Sequence, residues 1–174
     1  MDHLDRAVTT HQNLVASTPE DHPDYVKCLN NLANALQRRF DKTGSLEDIN
    51  RVIEIRHGIM ATAPHDHLYS MYSSNLGVAL ESRFKGTGSR DDLDQAITAL
   101  REAVSSTPDG NSSCARYLNN LGNALQTRFE VAGSKADLDL AIAANEKAVE
   151  LSPSDDLFMA NLGAALQTRH DLTG

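Results

Sequence analysis

The sequence predicts an all-α solenoid of stacked antiparallel helix hairpins, about eight helices in 174 residues. Three observations predict it: an internal repeat, paired helix-stop and helix-start marks at fixed places in each repeat, and apolar residues at helical spacing between the marks.

The repeat is carried by Asn31-Leu32-Ala33, Asn75-Leu76-Gly77, Asn120-Leu121-Gly122 and Asn161-Leu162-Gly163, at steps of 44, 45 and 41 residues. Phe40, Phe84 and Phe129 keep the same phase, with His170 in the fourth place. So do Gly44, Gly88, Gly133 and Gly174, and Pro19, Pro64, Pro108 and Pro153.

In chain order, residues 2–18 match only the second helix of a unit. It is amphipathic from Leu4 to Ser17 and stops at Thr18-Pro19, because proline has no N–H for the helical ladder and restricts the residue before it. Full units follow at 23–64, 67–108 and 112–153, and residues 155–174 match a first helix alone. First helices show a period near 3.6, as in Leu29, Leu32, Ala33, Leu36 and Phe40. Each ends at a glycine, which adopts the left-handed conformation without a Cβ penalty. Ser45, Ser89 and Ser134 then read as N-caps. Asp48, Asp92 and Asp137 follow three residues on, a capping-box variant that sets a carboxylate at the positive end of the helix dipole. The second helix repeats Leu93, Ala96, Ile97, Leu100, Ala103 and Val104 before the next proline. A single hairpin cannot bury its own apolar faces, so neighbours must stack around a continuous core. With a lone second helix first and a lone first helix last, the expectation is a piece of a longer array whose end faces can stack on another copy.

Composition narrows the partner. Lys and Arg number 16 against 24 Asp and Glu, and the net charge of −8 disfavours nucleic acid or an anionic membrane. No apolar run has the length of a membrane span, and Met1-Asp-His-Leu-Asp-Arg lacks the layout of a signal peptide, so a cytoplasmic location is expected. Cys28 and Cys114 fit no metal-ligand spacing and are expected to be reduced thiols.

The motifs named so far resemble the tetratricopeptide repeat. Leu118, Leu121-Gly122 and Leu125 match its first helix, and Ala96, Leu100, Ala103 and Pro108 match its second. The resemblance implies a right-handed α-α superhelix. Extra length around residues 38–44 places the units with the long kinesin-light-chain-like subclass, and the wording at 118–125 is similar to arrays in large fungal proteins that carry CHAT or nucleotide-binding modules. Arg56, His11 and Asn145 depart from the pattern, standing where an aromatic or Leu is usual.

Asparagine is a mediocre helix former, so its density on the first helices calls for a tertiary or ligand contact. Asn31, Asn75, Asn120 and Asn161 occur in every unit and read as structural amides bonded to a neighbouring helix or loop. A second stripe varies: Asn30, Asn34 and Gln37, then Ser74, Val78 and Glu81, then Asn119, Asn123 and Gln126, then Ala160, Ala164 and Gln167. Positions that tolerate Asn, Val or Ala read as free of the fold. The resemblance places this stripe on a concave groove that takes a peptide or partner helix, with Lys27, Arg38 and Arg116 drawing an acidic or terminal carboxylate. Solvated polar residues on an empty face are the alternative, and a purely architectural spacer or the regulatory arm of an enzyme elsewhere on the polypeptide are the rival functions. Arg39, Arg83, Arg128 and Arg169 precede the aromatic in each unit and read as ion-pair partners of Asp48, Asp92 and Asp137.

No catalytic reading emerges. His65-Asp66-His67 and Asp21-His22-Pro23-Asp24 have the look of metal clusters, yet both occupy post-proline loops where short polar residues are usual. There is no phosphate loop, nucleophile elbow or His-Glu-x-x-His, so neither an enzyme nor a cofactor is expected.

Overall fold

The computed structural model describes residues 3–62 and 68–173. These form eight helices and no strand: α1 (His3–Ser17), α2 (Tyr25–Thr43), α3 (Leu46–Thr62), α4 (Tyr69–Thr87), α5 (Arg90–Ser105), α6 (Cys114–Ala132), α7 (Lys135–Leu151) and α8 (Asp156–Thr173). Pro64, the His65-Asp66-His67 cluster and Gly174 lie outside the described residues.

The turns inside the hairpins follow the glycine logic. Gly44, Gly88 and Gly133 have φ of 70°, 73° and 70°, and their N–H groups donate to the carbonyls of Phe40, Phe84 and Phe129 at 2.7 Å each. That bond satisfies an otherwise orphaned carbonyl at the helix end. Ser45 and Ser89 accept the N–H of Asp48 and Asp92 at 3.4 Å, as N-caps do.

The carboxylates of those aspartates turn toward arginine. Arg39, Arg83 and Arg128 each grip the aspartate of their own hairpin with Nε and Nη2, at 2.7 and 2.6 Å to Asp48, 2.8 and 2.6 Å to Asp92, and 2.9 and 2.6 Å to Asp137. The remaining nitrogen, Nη1, reaches the preceding second helix: Asp5 at 3.2 Å, Asn50 at 3.0 Å and Asp94 at 2.9 Å. One planar guanidinium therefore ties three helices, which a lysine lacks the geometry to do. The hydrogen bond from Arg128 holds the Asp137 carboxyl below its ordinary range, against the opposing effect of burial.

Consecutive helices pack throughout, and α6 also touches α4 and α8. The core runs along the stack, from Ile49, Val52 and Leu80 through Leu93, Leu100 and Leu125 to Leu138 and Ala165. Each such Leu or Ile contributes about 1.5–3 kcal/mol by leaving water. Ala33, Ala79, Ala96, Ala124 and Ala141 are fully buried, so their small side chains set the close spacing between helices. At Gly77 a Cβ would lie 2.6 Å from Leu100 Cγ and 3.0 Å from the Ala96 carbonyl, so this first helix approaches α5 closer than alanine allows.

Candidate functional site

The direct contacts of α4 with α6 and of α6 with α8 set these first helices side by side along one face of the stack, called the inner wall after the concave side that the resemblance implies. Two amide bonds cross this wall. Asn120 Nδ2 on α6 donates to Ser74 Oγ on α4 at 3.3 Å, and Asn161 Nδ2 on α8 donates to Asn119 Oδ1 on α6 at 2.8 Å. In these two units the recurrent asparagine thus bonds the variable stripe of the unit before it.

This divides the stripe. Ser74 and Asn119 are each 3% exposed and are committed to those helix–helix bonds, so Asn119 serves the fold despite the variability of its position. Glu81 is buried and pairs with Lys85 Nζ at 2.7 Å on its own helix. Gln37, Gln126 and Gln167 at the equivalent places donate to Asp41, Glu130 and Asp171 at 3.0, 3.4 and 2.7 Å. All four are i,i+4 pairs that steady the helix surface. Asn34 stays exposed, and Asn30, Val78 and Asn123 are half-buried.

The cations are spread out. Lys27 lines a cavity of about 360 Å³ between the end of α1 and the start of α2, with Pro19, His22 and Asn31. Arg116 lies over the Tyr117 ring at 5.4 Å and donates to Ser113 Oγ at 3.3 Å. Arg38 is exposed on α2. They form no single cluster around the amide stripe.

Arg56, one of the departures from the repeat pattern, enters the wall from behind. It is 5% exposed on α3; Nη1 donates to the Asn75 carbonyl oxygen on α4 and Nη2 to Asn34 Oδ1 on α2 at 3.4 Å. Burial lowers its pKa to about 10, with the more distant Asp41 carboxylate opposing. The signal that marks it in the sequence is an arginine where the next unit has Leu100. Asn145, the third member of that column, is fully buried against Gly122, and neither of its amide atoms has a partner.

On the second-helix side, called the outer side, a cavity of about 390 Å³ lies between α3 and α5, with Met60 of α3 on its wall and Leu76 and Leu80 of α4 in its lining. Among the described residues no group of three or more His, Cys, Asp or Glu side chains is placed to hold a metal. His22 Nδ1 instead accepts the backbone N–H of Asp24 at 3.1 Å. Cys28 and Cys114 are free thiols. No described helix is long and apolar enough to cross a membrane.

Comparison with known families matches the tetratricopeptide repeat at residues 26–59 and 114–155, which span the α2–α3 and α6–α7 hairpins. These two segments are similar to tetratricopeptide repeats. The α4–α5 hairpin between them has the same glycine turn and the same Arg–Asp fork, so the hairpin geometry of the matched segments continues through it. No curated protein matches the sequence. Among solved structures, a putative kinesin light chain from Podospora anserina with nearly identical TPR-like repeats is similar over 97% of this chain and 80% of its own, at 15% identity and a TM-score of 0.70. MamA is similar over 98% and 86%, at 19% identity and a TM-score of 0.65. The first TPR of Spaghetti (RPAP3), bound to the HSP90 peptide SRMEEVD, is similar over 81% and 95%, at 19% identity and 0.54. At these identities the likeness is one of fold: an all-α, TPR-like helical solenoid.

Proposed function

We propose that the chain is a protein-interaction scaffold that binds a peptide or partner segment along the inner wall formed by its first helices. The observation that carries this reading is the set of stripe residues left over by the fold. Asn34 is exposed and meets the fold only through the 3.4 Å contact from Arg56, and Asn30, Val78 and Asn123 are half-buried, on one side of the stack, while their neighbours Ser74 and Asn119 are buried in bonds between first helices. A side-chain amide donates and accepts together, which suits the backbone of an extended peptide. The peptide-bound TPR of Spaghetti has the same fold and supports this use of it. Lys27, Arg38 and Arg116 lie far enough apart to meet separate acidic groups along a ligand. The expected setting is cytoplasmic, with no nucleic acid or membrane partner, in keeping with the net charge of −8.

Random-peptide display on the purified protein tests the proposal, with a parallel selection on a variant carrying Asn30→Ala, Asn34→Ala and Asn123→Ala. Asn119 is left intact because its loss would cut the bond to Asn161. A convergent motif that disappears with the folded variant is the expected result; enrichment indifferent to the three changes would refute it.

A second reading has its own observation. Leu14 on α1, and Leu157, Met159 and Leu172 on α8, are 43%, 61%, 44% and 48% exposed. Such apolar area favours an architectural role through end-to-end stacking, and sedimentation velocity across concentrations separates a monomer from a growing series of oligomers. The regulatory-arm reading, with an enzyme elsewhere on the same polypeptide, rests on the fungal resemblance alone.

A further inference from the structure

Arg56 is a buried cation at a place that the next unit fills with an apolar side chain. The equivalent place on α5 is Leu100, which packs fully buried against Gly77, so the repeat closes without a charge there. A guanidinium has five N–H donors, and taking it out of water is costly unless they are met and the charge is paired. Here the pairing is incomplete. Nε has no partner, Nη1 shares a carbonyl of the α4 backbone, and Nη2 makes only a 3.4 Å contact with Asn34. Among the described residues no carboxylate forms an ion pair with it; Asp41 acts on it only at longer range. The lowering of its pKa to about 10 leaves it charged at neutral pH.

The guanidinium also points the right way. Asn34 and Asn75 belong to successive first helices, so bonding both puts the charge at the seam of α2 and α4, under the inner wall. Asn34 is exposed and held by one long bond, so rotation of its side chain uncovers Nη2 and offers its own Nδ2 to the same incoming group. Carboxylates are the chemical match, since a planar fork of N–H donors meets two oxygens at once.

We propose that Arg56 is the floor of a carboxylate-binding subsite between α2 and α4, gated by Asn34, which receives an acidic side chain or a terminal carboxylate of the partner segment. This rests on the inner wall being the binding surface, and it assigns the charge recognition to a second-helix residue beneath the wall, where Lys27, Arg38 and Arg116 on the first helices are the alternatives.

NMR titration at constant ionic strength tests it. Two probes are used: acetyl-Gly-Glu-Gly-amide, whose single carboxylate is a side chain, and acetyl-Gly-Gly-Gly acid, whose single carboxylate is terminal, with sodium chloride as control. The Arg56 Nε–H signal and the Asn34 side-chain amide are expected to shift saturably with at least one probe, and the stronger probe identifies the source. In Arg56→Leu, which copies the array's own Leu100, the Asn34 response is expected to vanish while the fold is kept; Arg56→Gln is the second variant. An Arg56 signal that stays still, or that drifts equally with chloride, overturns the subsite. A display-selected motif that depends on Asn34 and Asn123 but binds Arg56→Leu within about tenfold of the parent also overturns it, since a lost charged hydrogen bond weakens binding by about that factor or more, and it leaves the inner-wall reading standing.

Discussion

Replacing glycine by alanine at two repeat-equivalent positions, Gly77 and Gly163, is expected to change stability in opposite directions. In both cases alanine favours the helix by about 0.8–1 kcal/mol through its lower backbone entropy. At Gly77 the added Cβ would stand 2.6 Å from Leu100 Cγ and 3.0 Å from the Ala96 carbonyl oxygen. The carbonyl belongs to the α5 backbone and cannot move aside alone, so α4 and α5 must separate, at the roughly 1–3 kcal/mol typical of overpacking. The balance is a net loss of up to about 2 kcal/mol. At Gly163 nothing lies within 4 Å of the place an added methyl would take, and the propensity gain stands alone. Urea denaturation followed by far-UV circular dichroism reads both as shifts of the midpoint at constant slope. Stabilisation by Gly77→Ala equal to that by Gly163→Ala would refute the claim that close helix approach, rather than chance, keeps glycine at position 77.

Three further outcomes follow from the same contacts. The Asp137 carboxyl is held low in the folded state by Arg128, so its contribution is present above the unfolded carboxyl value and is lost as pH falls through the lowered folded one; the urea midpoint of the parent should therefore drop more steeply than that of Asp137→Asn as pH is taken from about 5 toward about 3. A double-mutant cycle on Asn119→Ala and Asn161→Ala should give a coupling of about 1 kcal/mol from their 2.8 Å bond, and a coupling near zero would mean that the bond across the inner wall adds nothing. Arg56→Leu should be neutral or stabilising by about 1–4 kcal/mol, as expected when a buried and poorly paired charge gives way to a packed apolar side chain, and clear destabilisation would show that Arg56 is a strut of the fold.

Local chemistry is readable in the sequence wherever partner residues sit close in the chain. The helix stops at Gly44, Gly88 and Gly133 depend on one left-handed residue, and the forks from Arg39, Arg83 and Arg128 join residues nine apart across a tight turn. The exchange at the N-caps is only half visible: the Ser-x-x-Asp pattern marks the cap, but nearby arginine is a stronger partner for the aspartate than a backbone N–H. What escapes depends on register between units. Variation at its position predicts a free Asn119, yet Asn161 stands 42 residues on and bonds it, a pairing that the spacing of α6 and α8 decides. Burial of Glu81 and the reach of Arg56 to α2 and α4 are set in the same way, by how hairpins stack rather than by the order of residues within one.

The most direct test of peptide binding at the inner wall is a map of backbone and side-chain NMR shifts on adding a display-selected peptide. Saturable changes centred on Asn34, Val78 and Asn123 are the predicted result. Changes centred instead on His57, Met60, Thr98 and Glu102, which line the outer cavity between α3 and α5, would contradict it.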